Sequence, residues 1–162
     1  MSKVDEVLAA AKKFVDEGYK EGTNNDTIFG KWYGMNNQPW CAMFVSYCFD
    51  QAGVVNLVAA QTKKGFAYCP AAVDWFKKNG QLVPVEQAQR GDIIFFDFDG
   101  NKATAEHVEI CYVPQHDQKQ LVTFGGNTAK DHAGSQANGD GAYKKTRPYD
   151  KIMAVARPKW PA

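Results

Sequence analysis

Apolar residues at positions 4, 7, 8, 11, 14 and 15 follow the three- and four-residue spacing of one helix face. Ser2 stands before this stripe with Asp5 three residues on, a capping-box pattern with aspartate in the usual glutamate place, and Gly18 follows its end. An amphipathic helix is therefore expected over 3 to 17. From 18 to 39 the period is lost, and glycines, asparagines and Pro39 alternate with Phe29, Trp32 and Tyr33, which predicts a long structured loop. Helical character returns from Trp40 to Ala52, where Cys41, Val45, Cys48 and Ala52 share a face and Gly53 is the stop. Pro70 and the pair Asn79-Gly80 bracket a third helix at 70 to 79.

Beyond residue 90 the pattern changes to short stretches rich in β-branched and aromatic residues. These are GDIIFFDF (91–98), HVEICYV (107–113), QLVTF (120–124), AYKKTRPY (142–149) and IMAVARP (152–158). Helices followed by a run of strands predict an α+β fold, with N-terminal helices packed on a C-terminal antiparallel sheet. No repeat or linker interrupts the chain, so one domain over 1–162 is expected, and NTAKDHAGSQANGDG (127–141) reads as a surface loop.

Composition narrows the function classes. A net charge of +1 provides no bulk electrostatic attraction for nucleic acid, and no nucleic-acid partner is expected. No apolar run is long enough to span a bilayer, so no membrane insertion is expected. The opening MSKVDEVLAAAKKFV is broken by charges, unlike a signal peptide, and predicts synthesis in a cytoplasm. Cys41, Cys48, Cys69 and Cys111 are too sparse for a disulfide scaffold and are expected to be free. The spacings C-x-x-C and H-x-x-x-H are absent and His107, His116 and His132 lie far apart, so no zinc site is expected.

What remains is thiol chemistry. Cys41 falls in the first turn of its helix, where unpaired N–H groups and the positive end of the helix dipole favour thiolate over thiol. A nucleophilic thiol needs a base, and His107, at the start of a strand, is better fixed than His116 or His132 in their polar loops. A third group should orient the imidazole. Asn127, after TFGG at the end of the neighbouring strand, is the first choice, and Glu109, on the same strand face as His107, is the competitor. Each residue also has a structural reading: a buried free cysteine, a strand-edge histidine, a turn asparagine. Cys48 and Cys111 fit the buried reading, and for the others the residue pattern alone leaves both readings open.

The order of NNQPWCAMFVSYCFDQAG, AQRGDIIFFDFDG, EHVEICY, LVTFGGNT and YKKTRPYDKIMAVARP resembles the CHAP domain, the cysteine, histidine-dependent amidohydrolase/peptidase family, above all its phage endolysin versions. The resemblance runs from about residue 19 to 158. It implies a papain-like α+β fold and cleavage of peptidoglycan, as an N-acetylmuramoyl-L-alanine amidase or as a D,D- or cross-bridge endopeptidase. By position, Cys41 matches the family's nucleophile, His107 its base and Asn127 its orienting residue. Two departures stand out. Many members carry a glutamate two residues before that asparagine, where this chain has Gly125, and the family's frequent glycine after H-V is here Glu109.

The mechanism so implied has the Cys41 thiolate attack a wall amide, with the backbone N–H of Cys41 and the side chain of Gln38 as candidate oxyanion donors. No cofactor is expected. Calcium, held by some members in an acidic loop before the cysteine, has only Asp26 with Asn24 and Asn25 in GTNNDTIFGKWYG, without the alternating D-x-D-G pattern. The expected partner is bacterial peptidoglycan. The protein would act as a monomer or beside a separate wall-binding chain or domain, reaching the wall after release from the host cytoplasm. Two other functions stay in view: a catalytically silent wall-binding module, and a cysteine amidohydrolase acting on a small-molecule amide.

Overall fold

The computed structural model describes residues 1–99, 104–131 and 134–161. Helix α1 (Lys3–Asp16) is capped as its sequence predicts, with the Asp5 N–H donating to Ser2 Oγ at 3.1 Å. Within the segment expected to be loop, the chain forms a short helix α2 (Ile28–Tyr33), capped by Thr27 and ended by Gly34 at φ 98°. Six residues contain too few repeats to show a helical period, so the pattern of apolar positions could not reveal it. Helices α3 (Cys41–Gln51) and α4 (Cys69–Lys78) lie within a residue or so of their expected places.

The strands are β1 (Leu82–Val83), β2 (Ile93–Phe96), β3 (His107–Gln115), β4 (Gln120–Thr128), β5 (Gly141–Pro148) and β6 (Ile152–Ala156). They pair antiparallel in the order β1-β6-β2-β3-β4-β5. The two-residue β1, on the sheet edge beside β6, is too short to carry an alternating signal and was not expected. The architecture is α+β, as predicted. Among the described residues no helix is long and apolar enough to cross a membrane.

Helix α3 is the centre of the packing. Cys41, Ala42, Met43, Phe44, Val45, Ser46, Cys48 and Phe49 are all buried, so it is apolar nearly all round, as a helix enclosed by other elements must be. One side meets α1 and α2, where Phe29 stacks on Trp40 at 5.4 Å and meets Phe44 edge-on at 5.1 Å. The other side lies against β3 and β4. That contact is close because β4 carries glycine there: a Cβ at Gly126 would stand 2.5 Å from Trp40 Cζ3 and 2.8 Å from Phe44 Cγ. The backbone of β4 thus seats the first turn of α3, and with it Cys41. Gly126→Ala is expected to lower unfolding free energy by roughly 1–3 kcal/mol through overpacking, measured by urea denaturation; an unchanged midpoint would show that the helix can shift away freely.

Candidate active site

Cys41 is the first residue of α3, and Phe44 N–H is the first in the helix to reach back, to the Trp40 carbonyl at 2.8 Å. The N–H groups before it have no partner within the helix and leave the positive end of its dipole at the residue that carries the thiol. Trp40 anchors the turn by donating from Nε1 to Glu21 Oε1 at 2.9 Å. His107 opens β3, paired with Phe96 of β2, and is wholly buried beside the rings of Phe96 and Phe98. The Cys41 pKa is held well below the usual thiol value, chiefly by a hydrogen bond from Cys69 and then, against burial, by His107. Burial works to lower the His107 pKa, but the charge on Cys41 and the Glu109 carboxylate prevail and raise it to about 9. The two groups therefore favour the thiolate–imidazolium pair over the neutral pair.

The imidazole is oriented by Glu109. Its Nε2 donates to Glu109 Oε2 at 2.8 Å, which leaves Nδ1 as the ring atom for exchange with Cys41. Glu109 is completely buried, and each of its oxygens is matched twice. Oε1 accepts from Thr123 Oγ1 at 2.6 Å and Arg147 Nε at 2.8 Å, and Oε2 accepts from Arg147 Nη2 at 2.6 Å besides the imidazole. Burial alone would raise the carboxyl pKa, but the Arg147 guanidinium and His107 hold it far below the usual range. Arg147 in turn lies over Phe96 and Phe98 at 5.3 and 5.1 Å and donates to Gln136 Oε1 at 2.8 Å and Thr128 Oγ1 at 3.1 Å.

Asn127, the first choice for the orienting residue, does not fill that place. It sits at φ 56° where the β4–β5 register shifts between Gly125 and Thr128. Its Nδ2 donates to the Ala137 carbonyl at 3.3 Å and its own carbonyl accepts from Gly139 N–H at 2.9 Å, so it holds a bulge and the following loop. A left-handed position suits asparagine, and here its amide engages the following loop. The departures at 109 and 125 explain each other: a Cβ at Gly125 would stand 2.3 Å from Glu109 Oε2. The carboxylate enters from β3 the space that a side chain on β4 would need.

The signal for Glu109 was its two-residue spacing from His107 on one strand. Arg147 was missed. It lies two strands away in the antiparallel order and reaches Glu109 only across β4. Arg147 follows Lys144 and Lys145 on β5, and nothing in that run of cationic residues marks one for burial, yet Arg147 is 4% exposed.

The thiol of Cys41 opens into a cleft of about 480 Å³ lined by Met35, Gln38, Tyr68, Cys69 and Glu106 among others. Gln38 lies on its exposed rim, beside the helix start where an oxyanion would be met. A more open cavity of about 550 Å³ near Glu21, Asn24, Lys130 and Tyr143 has no thiol or imidazole among the described residues that line it. Cys48 and Cys111 are buried, and burial pushes Cys48 up and Cys111 to about 12. His116 is engaged by Tyr149 Oη and the Ala88 carbonyl, and His132 lies outside the described residues.

As for metals, Asp26, the carboxylate in the loop where some family members hold calcium, accepts from Asn36 Nδ2 at 2.7 Å and pairs with Lys31 Nζ at 3.3 Å. Among the described residues one acidic group has ligand spacing, Asp97, Asp99 and Glu106, with ligand atoms within 4.8 Å of one another. There hydrogen bonding to Asp97, burial and the charge of Asp99 raise Glu106 to about 7.

Comparison with known proteins gives a family and a fold. The family model described as CHAP domain matches residues 32–127, which include Cys41, His107, Glu109 and Asn127. Among solved structures, an NLP/P60 family protein from Staphylococcus aureus, described as similar to lipoprotein, aligns with TM-score 0.50 at 16% identity over 96% of this chain and 41% of its own. An NlpC/P60 family protein from Bacillus cereus aligns with TM-score 0.49 at 15% identity over 95% of this chain and 39% of its own. The chain thus spans about two fifths of the length of these structures. The comparison with curated proteins finds no match.

Alkylation tests the thiol assignment directly. Brief iodoacetamide treatment of the native protein at mildly acid pH is expected to label Cys41 ahead of Cys48 and Cys111, read by peptide mass mapping, because only the thiolate reacts. Equal labelling of the three would remove the case for an activated thiol.

Proposed function

Because the chain belongs to the CHAP domain family, we propose that it is a peptidoglycan hydrolase that cuts an amide or peptide bond of the bacterial cell wall with the thiolate of Cys41. The observation that carries this reading is the placement of Cys41 at the start of α3 against His107, whose other nitrogen is held by Glu109 at 2.8 Å. In this reaction the Cys41 thiolate adds to the carbonyl carbon. His107, protonated at Nδ1, delivers that proton to the leaving amine, and a thioester forms. The neutral imidazole then takes a proton from water, which attacks the thioester and releases Cys41. Glu109 keeps its charge throughout and stabilises the imidazolium, as a buried carboxylate does in related catalytic arrangements. The Cys41 N–H and the amide of Gln38 supply hydrogen bonds to the developing oxyanion.

In this reading the enzyme acts as an endolysin, like the family versions its sequence resembles, and meets the wall once the membrane is opened. Binding of the wall by a separate domain or chain is compatible with the same assignment.

Two experiments test this. Purified peptidoglycan digested with the protein should release fragments that Cys41→Ala does not, and mass spectrometry of the new termini distinguishes amidase cleavage, at the lactyl group of muramic acid, from endopeptidase cleavage within the peptides. Fragment release by Cys41→Ala would overturn the assignment. In the pH–rate profile the active ion pair exists above the lowered Cys41 pKa and below that of His107, so activity should fall as pH rises through about 9. Glu109→Gln removes the charge that favours imidazolium, and its alkaline limb should lie at lower pH with a rate reduced at least tenfold. An unmoved limb would take the orienting role from Glu109.

A further inference from the structure

The reaction above gives no task to Cys69, the second thiol in the cleft. Cys69 is the first residue of α4 as Cys41 is of α3, so two helix N-termini converge on the pair, and the sulfurs stand 4.0 Å apart. Both thiols are buried apart from a few per cent of their surface, and both line the cleft. The loop that brings Cys69 there is firmly built. Ser46 of α3 accepts from Phe66 N–H at 3.0 Å, and a Cβ on Gly65 would strike Ser46 Oγ at 2.3 Å. Gln61 Oε1 accepts from the N–H groups of Ala67 and Tyr68, both at 2.8 Å, immediately before Cys69. Such a loop holds the second sulfur at one place relative to the first.

We propose that Cys69 is a resolving thiol, which converts Cys41 oxidised by a hydroperoxide into a reversible Cys41–Cys69 disulfide. This rests on Cys41 being the working nucleophile. In the first step the Cys41 thiolate attacks the terminal peroxide oxygen: an S–O bond forms, the O–O bond breaks, and the departing alkoxide, or hydroxide where the oxidant is hydrogen peroxide, takes a proton, which the His107 imidazolium can supply. Cys41 is then a sulfenic acid. In the second step the Cys69 sulfur attacks the sulfenic sulfur, the S–S bond forms, the S–O bond breaks, and hydroxide leaves with the thiol proton as water. Two electrons, one from each sulfur, have passed to the peroxide. A dithiol returns them by exchange and is itself oxidised to a disulfide.

The resting state prepares both steps. Cys69 donates its S–H to Cys41, which keeps Cys41 ionised and raises the Cys69 pKa well above the usual thiol value. Once Cys41 is a sulfenic acid its negative charge is gone, and with it the main influence that kept Cys69 protonated. The approach needed is from 4.0 Å to a bond of about 2.05 Å. Cys48 lies two turns along α3, and Cys111 belongs to the core on the opposite side of the sheet, so neither shares this cleft. With no resolving partner, a sulfenic acid in excess peroxide proceeds to sulfinic acid, which dithiols do not reduce. The disulfide therefore silences the cleft and preserves it.

The full chain is oxidised with excess hydrogen peroxide, alkylated and analysed without reduction. The expected product is lighter by two hydrogens and yields a peptide pair joining Cys41 to Cys69. Activity on purified wall should fall at least tenfold and return with dithiothreitol. In Cys69→Ala, and in Cys69→Ser in case the smaller side chain unsettles the loop, the same treatment should add oxygen at Cys41 and leave a loss that dithiothreitol does not restore. Oxygen addition at Cys41 in the wild type, a cross-link to Cys48 or Cys111, or equal recovery in the Cys69 variants would overturn the proposal. The mass readout decides this even where the reduced protein leaves the wall intact, an outcome that would overturn the peptidoglycan assignment separately.

Discussion

A carboxylate enclosed between strands must be matched by charge and hydrogen bonds on every side, because its ionised form loses the stabilisation of water. Glu109 meets that condition with Thr123, Arg147 and His107, which together satisfy both oxygens twice. This requirement sets much of what surrounds it. Gly125 has no side chain because Glu109 fills its space, Arg147 lies under two phenylalanine rings instead of in solvent, and three strands are tied together through one acid. Removing one partner from such a buried pair typically costs about 3–5 kcal/mol, so the arrangement holds as a unit.

From that unit the polarity of the cleft follows. The charge of Glu109 favours imidazolium at His107, the imidazolium favours thiolate at Cys41, and the start of α3 adds its unpaired N–H groups to the same end. Arg147 therefore affects the thiol without touching it, through a chain of neighbouring charges. Cys69 acts from the opposite side of the cleft by a hydrogen bond, which couples the ionisation of Cys41 to a second sulfur that can also react with it.

The position of the third group separates two ways of reaching one geometry. A carboxylate on β4 at position 125 or one on β3 at position 109 would occupy the same place beside the imidazole, because these residues face each other across the sheet. Asn127 lies two residues further along β4, past a shift in register that turns its amide into the loop. A motif fixes residue order along one strand, whereas the imidazole responds to whichever atom reaches its nitrogen.

The sequence by itself determined the elements with long or repeated patterns: α1 with its cap, α3 with its apolar surround, the longer strands, and hence the α+β class. It also marked Cys41 and His107, since a thiol at a helix start and an imidazole at a strand start are local features. Helix α2 and strand β1 are too short to show a period. Which carboxylate meets His107, that Arg147 is buried, and that Cys69 comes within 4.0 Å of Cys41 were decided by the tertiary structure alone. Each is a contact between residues from different elements, set by strand order, register and the close approach that glycine permits, and none of these leaves a period along the chain.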